Sequence, residues 1–97
     1  MSFSIAQIVL SHPYPEQGYC SNTKVYIDVS KFNYMKIGSI TTNSGSLNVY
    51  DGDTTTLISA SNNIYNVSKY SKIRLQLAVS VSSGWSSVTV NDVIFYN

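Results

Sequence analysis

With 97 residues, the chain is long enough for one core and too short for two, so a single domain over residues 1–97 is expected. Charged residues make up only 11% of it, against a usual share of about 25%, and its 43% hydrophobic content with a net charge of +1 excludes a disordered chain. The six basic residues (Lys24, Lys31, Lys36, Lys69, Lys72 and Arg74) are scattered among five acids, which excludes the clustered cations that a nucleic-acid backbone requires.

Period-two alternation dominates, and no stretch sustains the helical period. Phe3-Ser4-Ile5 opens a first strand running through Ile8-Val9-Leu10. No basic residue precedes this run, which is too short for a signal core or a membrane span. Synthesis and folding in the cytoplasm, with no membrane partner, are therefore expected. His12 to Gly18 contains two prolines and reads as a loop. Cys20 is the sole cysteine, so no intrachain disulfide can form, and it reads as a small half-buried side chain.

Val25, Ile27 and Val29 alternate with Tyr26, Asp28 and Ser30 as a second strand. Met35 and Ile37 continue a third towards Ile40, with Gly38 read as a bulge. Thr42-Asn43-Ser44-Gly45 is a turn. Leu47 and Val49 form a strand ending at Tyr50, and Asp51-Gly52-Asp53 predicts a type I′ hairpin returning as a strand over Thr55 to Ser59. After a turn at Ser61-Asn62-Asn63, Ile64 leads into Val67. Ile73, Leu75, Leu77, Val79 and Val81 make the cleanest strand, with Arg74, Gln76, Ala78 and Ser80 on its other face. A Ser-Gly loop around Trp85 precedes Val88-Thr89-Val90, a bulge at Asn91-Asp92, and a last strand through Val93-Ile94-Phe95-Tyr96.

One phrase occurs twice. Ile27-Asp28-Val29-Ser30-Lys31-Phe32-Asn33-Tyr34-Met35-Lys36-Ile37 returns 38 residues later as Tyr65-Asn66-Val67-Ser68-Lys69-Tyr70-Ser71-Lys72-Ile73-Arg74-Leu75. In both copies a strand ends, an aromatic-anchored corner follows and a new strand begins. Val and the aromatic are expected to point inward, with the Ser hydroxyl accepting a backbone N–H in the bend. About eight short strands spaced roughly 8–12 residues apart, with two such corners, predict an antiparallel β-sandwich, specifically an eight-stranded jelly roll.

The doubled phrase, together with Val88-Thr89-Val90-Asn91-Asp92-Val93-Ile94, resembles jelly-roll modules of the galactose-binding and carbohydrate-binding type. Similar phrases occur in small tail, baseplate and capsid-accessory proteins of bacteriophages. The resemblance spans about residues 24–96 and implies either a virion component or sugar recognition.

No catalytic constellation can be placed. His12 is the one histidine and sits beside two prolines, so the chain is expected not to be an enzyme. No cofactor is expected. Asp51, Asp53 and Asp92 are weak candidates for a structural calcium, because two turn aspartates alone supply too few oxygens. The sequon Asn66-Val67-Ser68 reads as a chance match. Eight tyrosines and one tryptophan are the better clue, since both pair a flat apolar face with a polar tip. Trp85, Tyr14, Tyr19 and Tyr50 are the candidate partner-binding residues.

The leading expectation is a non-catalytic bacteriophage structural protein, a capsid decoration or a tail or fibre component, assembled in the host cytoplasm. It would bind other virion proteins and form a homo-oligomer such as a trimer, burying its surplus tyrosines. The alternative is a carbohydrate-binding or receptor-binding module that recognises surface glycans through loop aromatics.

Overall fold

The computed structural model describes residues 2–12, 23–79 and 86–97. They form the strands β1 (Ser2–His12), β2 (Lys24–Asp28), β3 (Tyr34–Asn43), β4 (Gly45–Asp51), β5 (Ala60–Ser61), β6 (Ile64–Asn66), β7 (Lys72–Val79) and β8 (Ser86–Tyr96). No helix occurs among the described residues, so none of them forms a helix able to cross a membrane. A five-stranded sheet in the order β1-β8-β3-β6-β5 (the large sheet) packs on a three-stranded sheet in the order β2-β7-β4 (the small sheet). Every pairing is antiparallel. The expected all-β sandwich is therefore present.

Alternation builds the layer between the sheets. Ile73, Leu75 and Leu77 of β7 are buried, as are Val49 of β4 and Val88, Val90, Val93 and Phe95 of β8. Phe95 is fully buried, with its ring centroid 5.8 Å from that of Phe32 and 6.2 Å from that of Phe3.

The doubled phrase forms two corners that carry the chain between sheets in opposite directions, β2 to β3 and β6 to β7. The corners also pair with each other. Val29 N–H donates to Ser71 C=O at 3.0 Å, and Val67 N–H donates to Asn33 C=O at 2.8 Å. These bonds continue the register of β2 with β7 and of β3 with β6, so one antiparallel ladder bends from the small sheet into the large one. Advancing 38 positions takes Val29 to Val67 and Asn33 to Ser71, so each corner repeats the bonding of the other. Phe32 N–H closes on Val29 C=O at 3.0 Å, and Tyr70 N–H on Val67 C=O at 3.1 Å. Val29 and Val67 are fully buried, and Phe32 and Tyr70 pack against the core.

The side-chain acceptor in each bend differs from expectation. Ser30 N–H donates to Asp28 Oδ1 at 2.9 Å and Ser68 N–H to Asn66 Oδ1 at 3.0 Å, while the Ser68 hydroxyl donates to Asn66 Oδ1 at 2.7 Å. The acceptor is thus the acid or amide that opens the phrase, because its oxygen reaches the N–H two residues on as an Asx turn.

The bulges expected at Gly38 and Asn91-Asp92 are replaced by a change of pleat. Val88 and Val90 face the core on one side of Asp92, and Val93 and Phe95 on the other. Asp92 itself takes a left-handed φ of 56°. The register does not slip across it: Ile5↔Val93 and Gln7↔Asn91 in β1, Ile37↔Val93 and Ser39↔Asn91 in β3. A bulge adds a residue to one strand only, whereas β1 shares the change here, with Ile8 packing inward before it and Ile5 after it. Gly38 is required for space, since a Cβ there would lie 2.8 Å from the Asp92 Cβ.

Two turn expectations also change. The type I′ turn falls at Asn62-Asn63, with φ of 53° and 64°, closing the pair Ser61↔Ile64. At Asp51-Gly52-Asp53 neither aspartate has positive φ. Asp51 Oδ1 instead accepts Asp53 N–H at 3.0 Å, and Gly52 N–H donates to Lys72 C=O at 2.9 Å. The strand expected over Thr55 to Ser59 reduces to a bridge between Leu57 and Tyr50 and a bond from Ile58 N–H to Val49 C=O at 2.8 Å. The Thr54 hydroxyl accepts Thr56 N–H at 3.1 Å, a local bond that competes with a regular ladder.

Candidate functional site on the outer face of the small sheet

The alternation that buries Ile73, Leu75 and Leu77 turns Arg74 and Gln76 away from the core. In β2, Val25 and Ile27 pack inward and leave Tyr26 outside, while in β4 Leu47 and Val49 do the same for Asn48 and Tyr50. Register then sets these side chains in rows across the sheet. Tyr26 and Tyr50 are the direct cross-strand neighbours of Arg74, one on each side. The next row holds Lys24, Gln76 and Asn48, and on the other side Asp28 pairs with Lys72.

Within this face the Arg74 guanidinium carbon lies 4.6 Å from the centroid of the Tyr50 ring. Cation–π contacts of this kind contribute about 0.5–2 kcal/mol, increasing with desolvation. Asn48 Nδ2 donates to the Tyr50 hydroxyl at 3.2 Å, fixing the ring's tip. Tyr26 is the open partner. It is 49% exposed, with Lys72 Nζ 5.8 Å from its centroid. Lys72 also pairs with Asp53 at 3.3 Å across exposed side chains, a contact that contributes little in water. At the corner end, Tyr26, Asp28, Ser30, Ser71 and Lys72 line an open pocket of about 280 Å³. The Ser30 backbone and hydroxyl hydrogen bonds, and then the Lys31 charge, hold the Asp28 carboxyl below the usual carboxylate range.

This arrangement suits binding. Its outward side chains supply a flat aromatic face, amides and the three cations Lys24, Lys72 and Arg74, and among the described residues include no histidine or cysteine.

Of the residues singled out from the sequence, Tyr50 is on this face. Tyr14, Tyr19, Trp85 and Cys20 lie outside the described residues. Asp51 and Asp53 sit together at the end of β4, whereas Asp92 is in the large sheet opposite Gly38. Among the described residues no group of three or more His, Cys, Asp or Glu side chains is placed to hold a metal ion. Tyr26 and Arg74 are the residues that loop-centred reasoning passed over. Alternation had already put both outside the core, but only the pairing register brings them together.

The large sheet's outer face is different. Gln7 Nε2 donates to Asn91 Oδ1 at 3.2 Å, and Asn91 Nδ2 to Ser39 Oγ at 3.4 Å, a neutral row across β1, β8 and β3. Further along, Thr89 stands between Val9 and Thr41, and Ser87 between Ser11 and Asn43. Towards the other end, the tilted rings of Tyr34 and Tyr96 meet with centroids 5.4 Å apart.

Compared with protein-family models, curated proteins and solved structures, the chain matches none.

Proposed function

We propose that this chain is a non-catalytic jelly-roll module that recognises surface glycans through the outer face of its small sheet. The row Tyr26–Arg74–Tyr50 carries this reading. A pyranose ring lays its C–H face on a tyrosine, and its hydroxyls find planar hydrogen-bonding groups in Asn48, Gln76 and Arg74 on the neighbouring positions. The half-exposed Tyr26 offers such a face to solvent. Support for the jelly roll comes from the path of the chain. Successive elements alternate between the sheets from β1 to β4, the Leu57 segment bridges the outer edge of β4, and β6, β7 and β8 alternate back. The test is a glycan array probed with the wild type and with Tyr26→Ala, using Trp85→Ala to weigh the loop alternative. A positive glycan lost in Tyr26→Ala and kept in Trp85→Ala is expected, while a silent array contradicts the proposal.

A second reading, a bacteriophage particle component acting by protein–protein assembly, is favoured by β1. Among the described residues β1 is an edge strand of the large sheet, and its 11 residues, SFSIAQIVLSH, include no Asp, Glu, Lys, Arg or Pro. Natural edges are usually blunted by such residues. Homo-oligomerisation through β1 predicts a concentration-dependent mass in light scattering that Ser4→Lys reduces, and a monomer at every concentration contradicts it. The two readings are compatible, because a glycan-binding module can also be part of a particle.

A further inference from the structure

We propose that the Tyr26–Arg74–Tyr50 face selects acidic saccharides, with the carboxylate or sulfate group seated between Arg74 and Lys24. The inference rests on the glycan reading above and names the ligand class of the same site.

Charge balance is the first argument. Lys24, Arg74 and Lys72 bring half of the chain's six basic residues to this one face. Among the described residues Lys72 has a carboxylate partner in Asp53, and neither Lys24 nor Arg74 has one. Arg74 is half-buried between its tyrosine neighbours, and its Nε is buried with no hydrogen-bond partner. A guanidinium partly removed from water gains most from an anion, and its planar fork matches a carboxylate or sulfate at two points.

Position is the second argument. Asp28 is also on this face, but beyond the Tyr26 row, beside Lys72 and on the side away from Lys24. Rows on one face of a sheet repeat about every 6.6 Å, so the lone outward carboxylate of β2 and Lys24 lie about 13 Å apart. An anionic group is therefore repelled from the Asp28 end and drawn to the row of Lys24, Gln76 and Asn48. A sugar ring stacked on Tyr26 places a substituent on that side within reach of both cations, which gives the bound saccharide a direction along the strands.

Titration calorimetry with an oligogalacturonate, a neutral galacto-oligosaccharide of the same length and a poly-glutamate of matched charge tests this. The acidic sugar is expected to bind at least tenfold more tightly than the neutral one at low salt, the gap narrowing as salt rises. Arg74→Gln and the exposed Lys24→Gln should each narrow the gap, while Tyr26→Ala weakens both sugars. Lys24→Gln keeps the test valid should Arg74→Gln fail to fold. Equal affinity for the two sugars overturns the acid preference and leaves the glycan reading standing. Poly-glutamate binding as tightly as the oligogalacturonate overturns it by showing charge attraction alone. Binding of neither sugar overturns both.

Discussion

The two outer faces of the sandwich follow from the same alternation of side chains and carry opposite chemistry. On the small sheet a cation lies between two tyrosines, and charged residues occupy the flanking rows. On the large sheet the rows through Gln7, Asn91 and Ser39 and through Val9, Thr89 and Thr41 are uncharged, and neighbouring amides and hydroxyls bond to each other. The difference lies in who satisfies the polar groups. Asn91 uses its donor and its acceptor within its own row, whereas Arg74 offers a guanidinium that its own sheet leaves without an anion. A face that satisfies itself suits packing against a like surface, and a face with unmet capacity suits a ligand.

Five changes break or sharpen this contrast. The largest effect is expected from Phe95→Ala, in the core that both faces share. Removing this fully buried ring should cost about 3–5 kcal/mol in chemical denaturation and abolish binding with the fold. A loss under about 1 kcal/mol would mean that the sheets do not meet around it. Gly38→Ala should cost about 1–3 kcal/mol, because the new Cβ meets the Asp92 Cβ in the large sheet. Saccharide affinity of the remaining folded protein should be unchanged, since the small sheet is not touched.

Tyr26→Ala should lower saccharide affinity tenfold or more with little change in stability, while Thr89→Ala on the opposite face should change affinity less than about twofold. Reversal of that order would move the site to the large sheet. The smallest effect belongs to the corners. Asp28 has a lowered pKa when folded, so it stabilises the fold above the unfolded carboxylate value of about 3.9 and that contribution is lost as pH falls through the folded value. Asn66, its counterpart in the second corner, does not titrate. Asp28→Asn should therefore flatten the stability profile below about pH 4, measured by denaturation across pH, and lower stability slightly near neutrality, where the ionised side chain contributes.

Much of this fold was legible in local patterns, and of the candidate site only Tyr50 was. The repeated phrase identified both corners, because buried Val and anchoring aromatic residues recur at fixed spacing. It did not reveal that the corners bond to each other, which depends on the register of residues far apart in sequence. The break in alternation at Asn91-Asp92 was visible, but its nature was not. A one-strand bulge and a pleat change shared with β1 look the same from β8 alone. Asp-Gly suggested the tightest turn, yet the Asp51 side chain captures Asp53 N–H and the type I′ geometry goes to Asn62-Asn63. Tyr26, Arg74 and Tyr50 lie on three strands, and nothing local announces that they share a row.

Mapping backbone amide chemical shifts of the labelled protein during titration with an oligogalacturonate tests the central claim most directly. The account predicts shifts concentrated at Lys24, Tyr26, Asn48, Tyr50, Arg74 and Gln76, with Ser39, Thr41, Thr89 and Asn91 unmoved. Shifts confined to the large sheet's outer face, or to Tyr14, Tyr19 and Trp85, would contradict it.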